Sequence, residues 1–117
     1  MQKINDEELK SLRAKHPRGV VVLNVTTESG EVAGQFAFKK IGRVEYAQFR
    51  SATKQGSMRG GGTGEEEQQL ARSLLVWPED KAVFDALRDD APAVVTAFGL
   101  ALLADADAGF PVDRDPR

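Results

Sequence analysis

Hydrophobic positions recur along this chain with two different periods, and together they predict an α+β fold. In residues 32–41, VAGQFAFKKI, Phe36 and Phe38 alternate with less apolar neighbours, which is typical of a strand with one solvated face. The preceding run, RGVVVLNVTT, is rich in β-branched residues, and ESGE separates the two runs as a turn. We therefore expect an antiparallel hairpin. Two strands alone are marginal in water, so helices or another chain must cover them.

The capping residues predict an N-terminal helix. Asn5 is a good N-cap residue and Glu8 follows three positions later, which is the spacing of a capping box. Pro17 disfavours helical geometry in the residue before it, so this helix should end near His16.

A further helix is expected after the hairpin, from Arg43. Tyr46 and Phe49 are three residues apart, so both should lie on the core-facing side of a helix of about three turns. This helix should end by Gly56, because residues 56–64, GSMRGGGTG, contain five glycines and predict a flexible loop.

The C-terminal half predicts a helical subdomain of three short helices. The glutamates at 65–67 favour a helix start, because they complement the helix dipole. Pro78 should end this first helix and occupy the first turn of the next one, and Pro92 should do the same again. Trp77 would then fill the gap at the first corner. The tail from Asp105 has few apolar residues and is expected to be disordered, which leaves residues 1–104 as a single domain.

Each of the three helices carries an apolar stripe at helical spacing. The stripes are Leu70, Leu74 and Trp77, then Val83, Phe84 and Leu87, then Val95, Phe98 and Leu102. Core packing is the default interpretation. The stripes nevertheless offer more apolar surface than one hairpin can cover, so a groove for a partner's helix is the alternative. The candidate partner-binding residues are Trp77, Pro78, Phe84, Leu87 and Phe98.

Composition excludes several classes of function. The 117 residues include 16 basic and 18 acidic side chains, so a net charge of −2 offers nucleic acid no attractive field. There is no cysteine, which excludes disulfides and thiolate metal sites. The N-terminus has no apolar signal segment, and the longest apolar run, 91–104, is too short to span a membrane. We expect a cytoplasmic protein that binds neither nucleic acid nor membrane.

Candidate chemistry is sparse, and we expect no enzyme, cofactor or metal. The loop at 56–64 resembles a phosphate-binding loop in its glycines, but Gly62 stands where the lysine is needed, and three glutamates follow. A nucleotide-binding protein or enzyme that uses this loop is the alternative from another class. His16 is the only histidine, and nothing near it in the sequence suggests a nucleophile.

A group of basic residues lies around the second strand and the helix that follows it. The group consists of Lys39, Lys40, Arg43, Arg50 and Lys54. Basic residues beside aromatic ones could bind a single-stranded nucleic acid. A solvated rim is the favoured interpretation, because acidic segments elsewhere cancel any broad field.

The order of these features resembles the phage tail assembly chaperones, which are small proteins encoded beside the tape-measure gene of tailed phages and prophages. The resemblance spans about residues 5–104 and is carried by F-K-K-x-x-R-x-E-Y-x-x-F at 38–49 and L-L-x-W-P at 74–78. It implies a non-catalytic protein that binds the tape-measure protein and assists tail-tube assembly. It also implies the tail-tube protein as an additional partner. The edge of the hairpin could supply self-association, so further copies of this chain are another candidate partner. A small adaptor that binds the helix or strand of another partner is the alternative within the same class.

Overall fold

The computed structural model describes residues 2–58 and 64–109, with the side chains of 2–53 and 64–105. These residues form an α+β arrangement of helices around a three-stranded antiparallel sheet, as the sequence predicts. The helices are α1 (Asp6–Lys15), α2 (Arg43–Met58), α3 (Glu65–Leu74), α4 (Lys81–Asp90) and α5 (Pro92–Gly109). The strands are β1 (Val20–Thr26), β2 (Val32–Lys39) and β3 (Leu75–Trp77), in the order β1-β2-β3.

The predicted hairpin and the predicted first helix are confirmed. Strands β1 and β2 pair antiparallel with Val21 opposite Phe38 and Leu23 opposite Phe36, which places these four side chains on one face of the sheet. Helix α1 begins with the expected capping box: Asn5 accepts a hydrogen bond from the Glu8 N–H at 2.8 Å, and Glu8 accepts one from the Asn5 N–H at 3.4 Å.

The third strand corrects the prediction for residues 75–77. The sequence pattern extended the helix from Glu65 through Trp77, but α3 ends at Leu74 and the next three residues pair with β2. Leu75 lies opposite Phe38, and Trp77 lies opposite Ala37. The strand conformation is favoured over a helical one because pairing satisfies backbone groups on the open side of β2. In addition, the residue before Pro78 is biased towards extended geometry.

The role predicted for Pro78 is also wrong, whereas that of Pro92 is right. Helix α4 begins three residues after Pro78, at Lys81, and Asp80 caps it by accepting a hydrogen bond from the Ala82 N–H at 2.9 Å. Pro92 is the first residue of α5, where its missing N–H costs nothing.

Two helices are longer than the sequence predicts. Helix α2 continues to Met58 instead of ending by Gly56, so the first three residues of the expected loop are helical. Helix α5 continues to Gly109, so the expected disordered tail does not begin at Asp105. Residues 59–63 of the loop and 110–117 of the tail lie outside the described residues.

The main core lies between one face of the sheet and helices α3, α4 and α5. Four phenylalanine rings from β2, α4 and α5 form its centre, with ring centroids 5.6–6.4 Å apart: Phe36, Phe38, Phe84 and Phe98. Val95 and Leu102 are buried beside them, which confirms the stripe predicted for the last helix.

A glycine and a glutamine set how the helices of this layer pack. Gly99 of α5 is buried against α3, and a Cβ at this position would overlap the carbonyl oxygen of Glu67. Gln68 is buried yet satisfied: its amide donates to Thr96 Oγ1 at 3.0 Å, and its carbonyl accepts from Arg88 Nε at 2.8 Å. Because these bonds connect α3 with α4 and α5, they help to position the three helices relative to each other.

Candidate partner-binding surface

The two sequence segments that carry the family resemblance meet in the sheet. The first begins at Phe38 in β2, and the second, residues 74–78, contains β3. They are joined by the cross-strand pair of Phe38 with Leu75, next to the pair of Ala37 with Trp77. Segments that are separated by a helix and a glycine-rich stretch in the sequence therefore form one continuous piece of structure.

Trp77 lies on the face of the sheet opposite the main core. Alternation along β2 points Phe36 and Phe38 into the core and Ala37 the other way. The register is irregular between Phe38 and Ala37, so Leu75 joins the core cluster, whereas Trp77, the cross-strand partner of Ala37, does not. The indole is 7% exposed, and its Nε1 donates to Glu8 Oε2 at 2.7 Å. Helix α1 thus covers this face and is connected to the sheet through a charge-assisted hydrogen bond.

An apolar groove opens at the corner between β3 and α4. It has a volume of about 370 Å³ and is lined by Phe36, Trp77, Pro78 and Val83, with Gln2, Gln35 and Asp80 providing polar groups. Val83 is 38% exposed at this groove. An apolar floor with few polar groups is the usual composition of a surface that accepts an apolar side chain of a partner.

Two of the five predicted partner-binding residues belong to the main core. Phe84 and Phe98 are packed among the core phenylalanines. Trp77 is bonded to α1 and largely buried, but it still lines the groove. The spare apolar surface that the sequence predicts is therefore absent around Phe84 and Phe98, because both pack into the core between the sheet and the helices. Pro78 and Leu87 are half-buried, and of these two Pro78 lines the groove.

Val83 is the groove residue that the sequence pattern misplaced. The stripe spacing predicts that Val83 faces inward together with Phe84, but the structure shows Val83 exposed to solvent. Two adjacent apolar residues on a helix cannot both face the centre of a core, since they are about 100° apart around the helix axis. Tyr46 is a similar case: it was predicted on the core face of α2 and is 45% exposed, whereas Phe49 packs against the core.

The basic residues around β2 and α2 are partly neutralised. Lys39 Nζ lies 3.3 Å from Glu45 Oε1, and Lys40 Nζ lies 3.9 Å from Asp105 Oδ2. A hydrogen bond from its own backbone N–H lowers the pKa of Glu45, and Lys39 lowers it further against the opposing effect of burial. Arg43 and Arg50 are exposed, and the side chain of Lys54 lies outside the described residues. These ion pairs favour a solvated rim over a phosphate-binding patch.

The remaining candidates for catalysis or ligand binding are His16 and the glycine-rich segment that precedes α3. His16 is the C-cap residue of α1, and its backbone N–H donates to the Leu12 carbonyl at 2.9 Å. Gly64 takes a φ of 84° at the N-terminus of α3, and the three glutamates follow it in the first turn. Within residues 2–58 and 64–109, no group of three His, Asp or Glu side chains is close enough to hold a metal ion.

Comparison of the chain with protein-family models, with curated proteins and with solved structures finds no match. Among the helices of the described residues, none is long and apolar enough to cross a membrane.

Proposed function

We propose that this chain is a tail assembly chaperone of a phage or prophage. In this role it binds the tape-measure protein without catalysis, keeps it soluble and assists the assembly of the tail tube around it. The observation that supports the proposal most is the pairing of Phe38 with Leu75, because it connects the two segments that resemble the family. Such a chaperone would act in the cytoplasm of the host cell.

The groove between β3 and α4 provides a physical basis for this role. A tape-measure protein is expected to expose long apolar helical stripes until the tube encloses it. Pro78 and Val83 offer an apolar contact for one side chain of such a stripe, while Asp80 and Gln35 stand beside it as polar groups. One small groove gives modest affinity, so many copies along the partner would supply the overall strength of binding.

Co-expression with an aggregation-prone fragment of a tape-measure protein from the same genome tests the proposal. We expect the wild-type chain to raise the soluble fraction of the fragment, as measured by sedimentation and gel densitometry. Val83→Asp should abolish this effect, because it places a carboxylate in the apolar groove.

Ala86→Asp is the matched control. Ala86 is exposed on the same helix but does not line the groove, so this variant should solubilise the fragment as well as the wild type does. A fragment that is no more soluble with the wild-type chain than without it would contradict the proposed function. Equal effects of the two variants would exclude the groove as the binding site.

A further inference from the structure

Strand β1 forms an open edge of the sheet. Within residues 2–58 and 64–109, β2 is the one strand that pairs with it, since the order is β1-β2-β3. The other side of the sheet is different: β3 occupies part of the free side of β2, and Gln35 N–H donates to the Gln2 carbonyl at 3.0 Å just beyond it. In the part of the chain that the structure describes, backbone groups of β2 thus form hydrogen bonds on both sides of the strand, whereas those of β1 form them on one side.

The register identifies which groups of β1 point outwards. The Gln35 N–H is directed at Gln2, away from β1, so Gln35 and its partner Asn24 are a non-hydrogen-bonded pair. The N–H and carbonyl of Asn24 consequently point to the open edge. By the same alternation, Val20 and Val22 present their backbone groups outwards too.

From Val20 to Val25, this edge lacks the charges, prolines and bulges that usually prevent strands from pairing. Residues 20–26, VVVLNVT, include no charged residue and no proline, and the pairing with β2 is regular as far as Val25. Natural edge strands are normally short, charged, bulged or covered, because an open row of backbone groups is a template for another strand. A strand that is uncharged throughout and regular over its first six residues favours pairing.

The edge is complementary to itself. In an antiparallel pair of two β1 strands, Val22 of one copy can lie opposite Asn24 of the other, so that the outward-facing residues meet in hydrogen-bonded pairs. Leu23 then lies on the two-fold axis. This register places no like charges opposite each other, because β1 has none, and it forms an isologous interface that closes at two copies.

The helix beneath this edge extends the surface that a second copy would bury. Helix α5 contacts β1 and has no charged residue from Pro92 to Ala104, although Ala97 and Leu100 are exposed. The area of this edge follows from its two dimensions. A strand of seven residues is about 24 Å long. The sheet and the helix layer, whose centres are about 10 Å apart, are together about 20 Å high. The two copies would bury roughly 1,000 Å² in total, which is the lower limit for a specific interface.

We propose that two copies of this chain associate through β1, forming a continuous six-stranded antiparallel sheet. The interface is small, so the dissociation constant should be micromolar or weaker. This association does not depend on the proposed chaperone role, and its test involves no tape-measure protein.

Sedimentation velocity over a concentration series tests the dimer. The wild-type chain should pass from 12.7 kDa to twice this mass as its concentration rises. Asn24→Pro removes an outward N–H from each copy and should raise the dissociation constant by about tenfold or more. Both substitutions remove the side-chain hydrogen bond that Asn24 accepts from Gln35. Asn24→Ala keeps the backbone N–H, so this variant should dimerise like the wild type. A wild-type chain that stays monomeric at millimolar concentration, or equal association of the two variants, would overturn the proposal.

Cross-linking provides a second test that does not require proline in the strand. The chain has no cysteine, so Leu23→Cys introduces a single thiol on the proposed axis, where the two Cβ atoms of a non-hydrogen-bonded pair approach within about 5 Å. Mild oxidation should yield a covalent dimer from this variant and not from Ser29→Cys, whose thiol is exposed in the hairpin turn. Circular dichroism checks that both variants are folded. Equal cross-linking of the two variants, or none at Leu23→Cys, would contradict the proposed pairing.

Discussion

The two faces of the sheet are covered in different ways. On one face, helices α3 to α5 bury several side chains almost completely, among them Phe84, Leu74 and Val95. On the other face, α1 has no fully buried residue and is joined to the sheet by the hydrogen bond from Trp77 to Glu8, while Ile4, which precedes the helix, donates to Gln35. Apolar burial is the main source of stability. We therefore expect the first face to determine whether the chain folds, and the second to open locally at lower cost.

The largest effect should come from the core face. Phe84→Ala removes a fully buried ring that packs edge-on against Phe36 and Phe38, so the free energy of unfolding should fall by about 3–5 kcal/mol. Chemical denaturation measures this loss. Val44→Ala changes a side chain that is 65% exposed and should alter stability by less than about 0.5 kcal/mol. Equal losses would contradict the assignment of the core to this face.

Gly99→Ala should be the next largest effect. The added methyl group would overlap the Glu67 carbonyl oxygen, so α3 and α5 must move apart, at a cost of about 1–3 kcal/mol. This cost should exceed the gain of up to about 1 kcal/mol that alanine has over glycine within a helix. The thermal midpoint of unfolding measures the balance. A midpoint above that of the wild type would show that the two helices are not in close contact.

A smaller and local effect is expected on the α1 face. Glu8→Ala removes both the reciprocal capping bond and the acceptor of the Trp77 N–H, so α1 should lose about 1 kcal/mol. Hydrogen exchange should then become faster in α1 and stay unchanged in α3 to α5. Glu7→Ala, which changes an exposed residue in the same turn, should leave exchange as it is. Faster exchange throughout the protein would mean that the two faces unfold together.

The smallest effect should be the pH dependence of the bond between α3 and α4. Two hydrogen bonds from Arg72, at 2.9 and 3.2 Å, lower the pKa of Asp85 below its ordinary value of 3.8. Because the carboxylate is favoured in the folded state, its stabilising contribution is present above the ordinary value and disappears as the pH falls through the lowered pKa. The difference in free energy of unfolding between the wild type and Asp85→Asn should therefore shrink in acid. A difference that grows below pH 3.8 would contradict this ion pair.

Local sequence signals predicted the elements that depend on neighbouring residues. The capping box of Asn5 and Glu8, the alternation around Phe36 and the first-turn position of Pro92 all act within a few residues, so the pattern alone is sufficient to place them. The helical stripe that ran to Trp77 failed for the opposite reason. Leu70, Leu74 and Trp77 have the spacing of a helical stripe, whereas the strand conformation of Leu75 and Trp77 depends on β2, which is far away in the sequence.

The candidate surface was predictable only in part for the same reason. The sequence identifies Trp77 and Pro78, which line the groove, but it groups them with Phe84 and Phe98, which lie in the core. An apolar side chain has the same sequence signature whether it faces a core or a partner, because periodicity identifies the apolar face of a helix and not what covers it.

By itself, the sequence determined the α+β class, the hairpin and the start of most helices, because capping, alternation and proline geometry are local properties of the chain. Only the tertiary structure decided that residues 75–77 form a strand, that Trp77 faces α1 and that β1 stays open at the edge. These outcomes depend on which distant backbone groups are free to pair. Each buried N–H and carbonyl needs a partner, and where that partner comes from is settled by the assembled sheet.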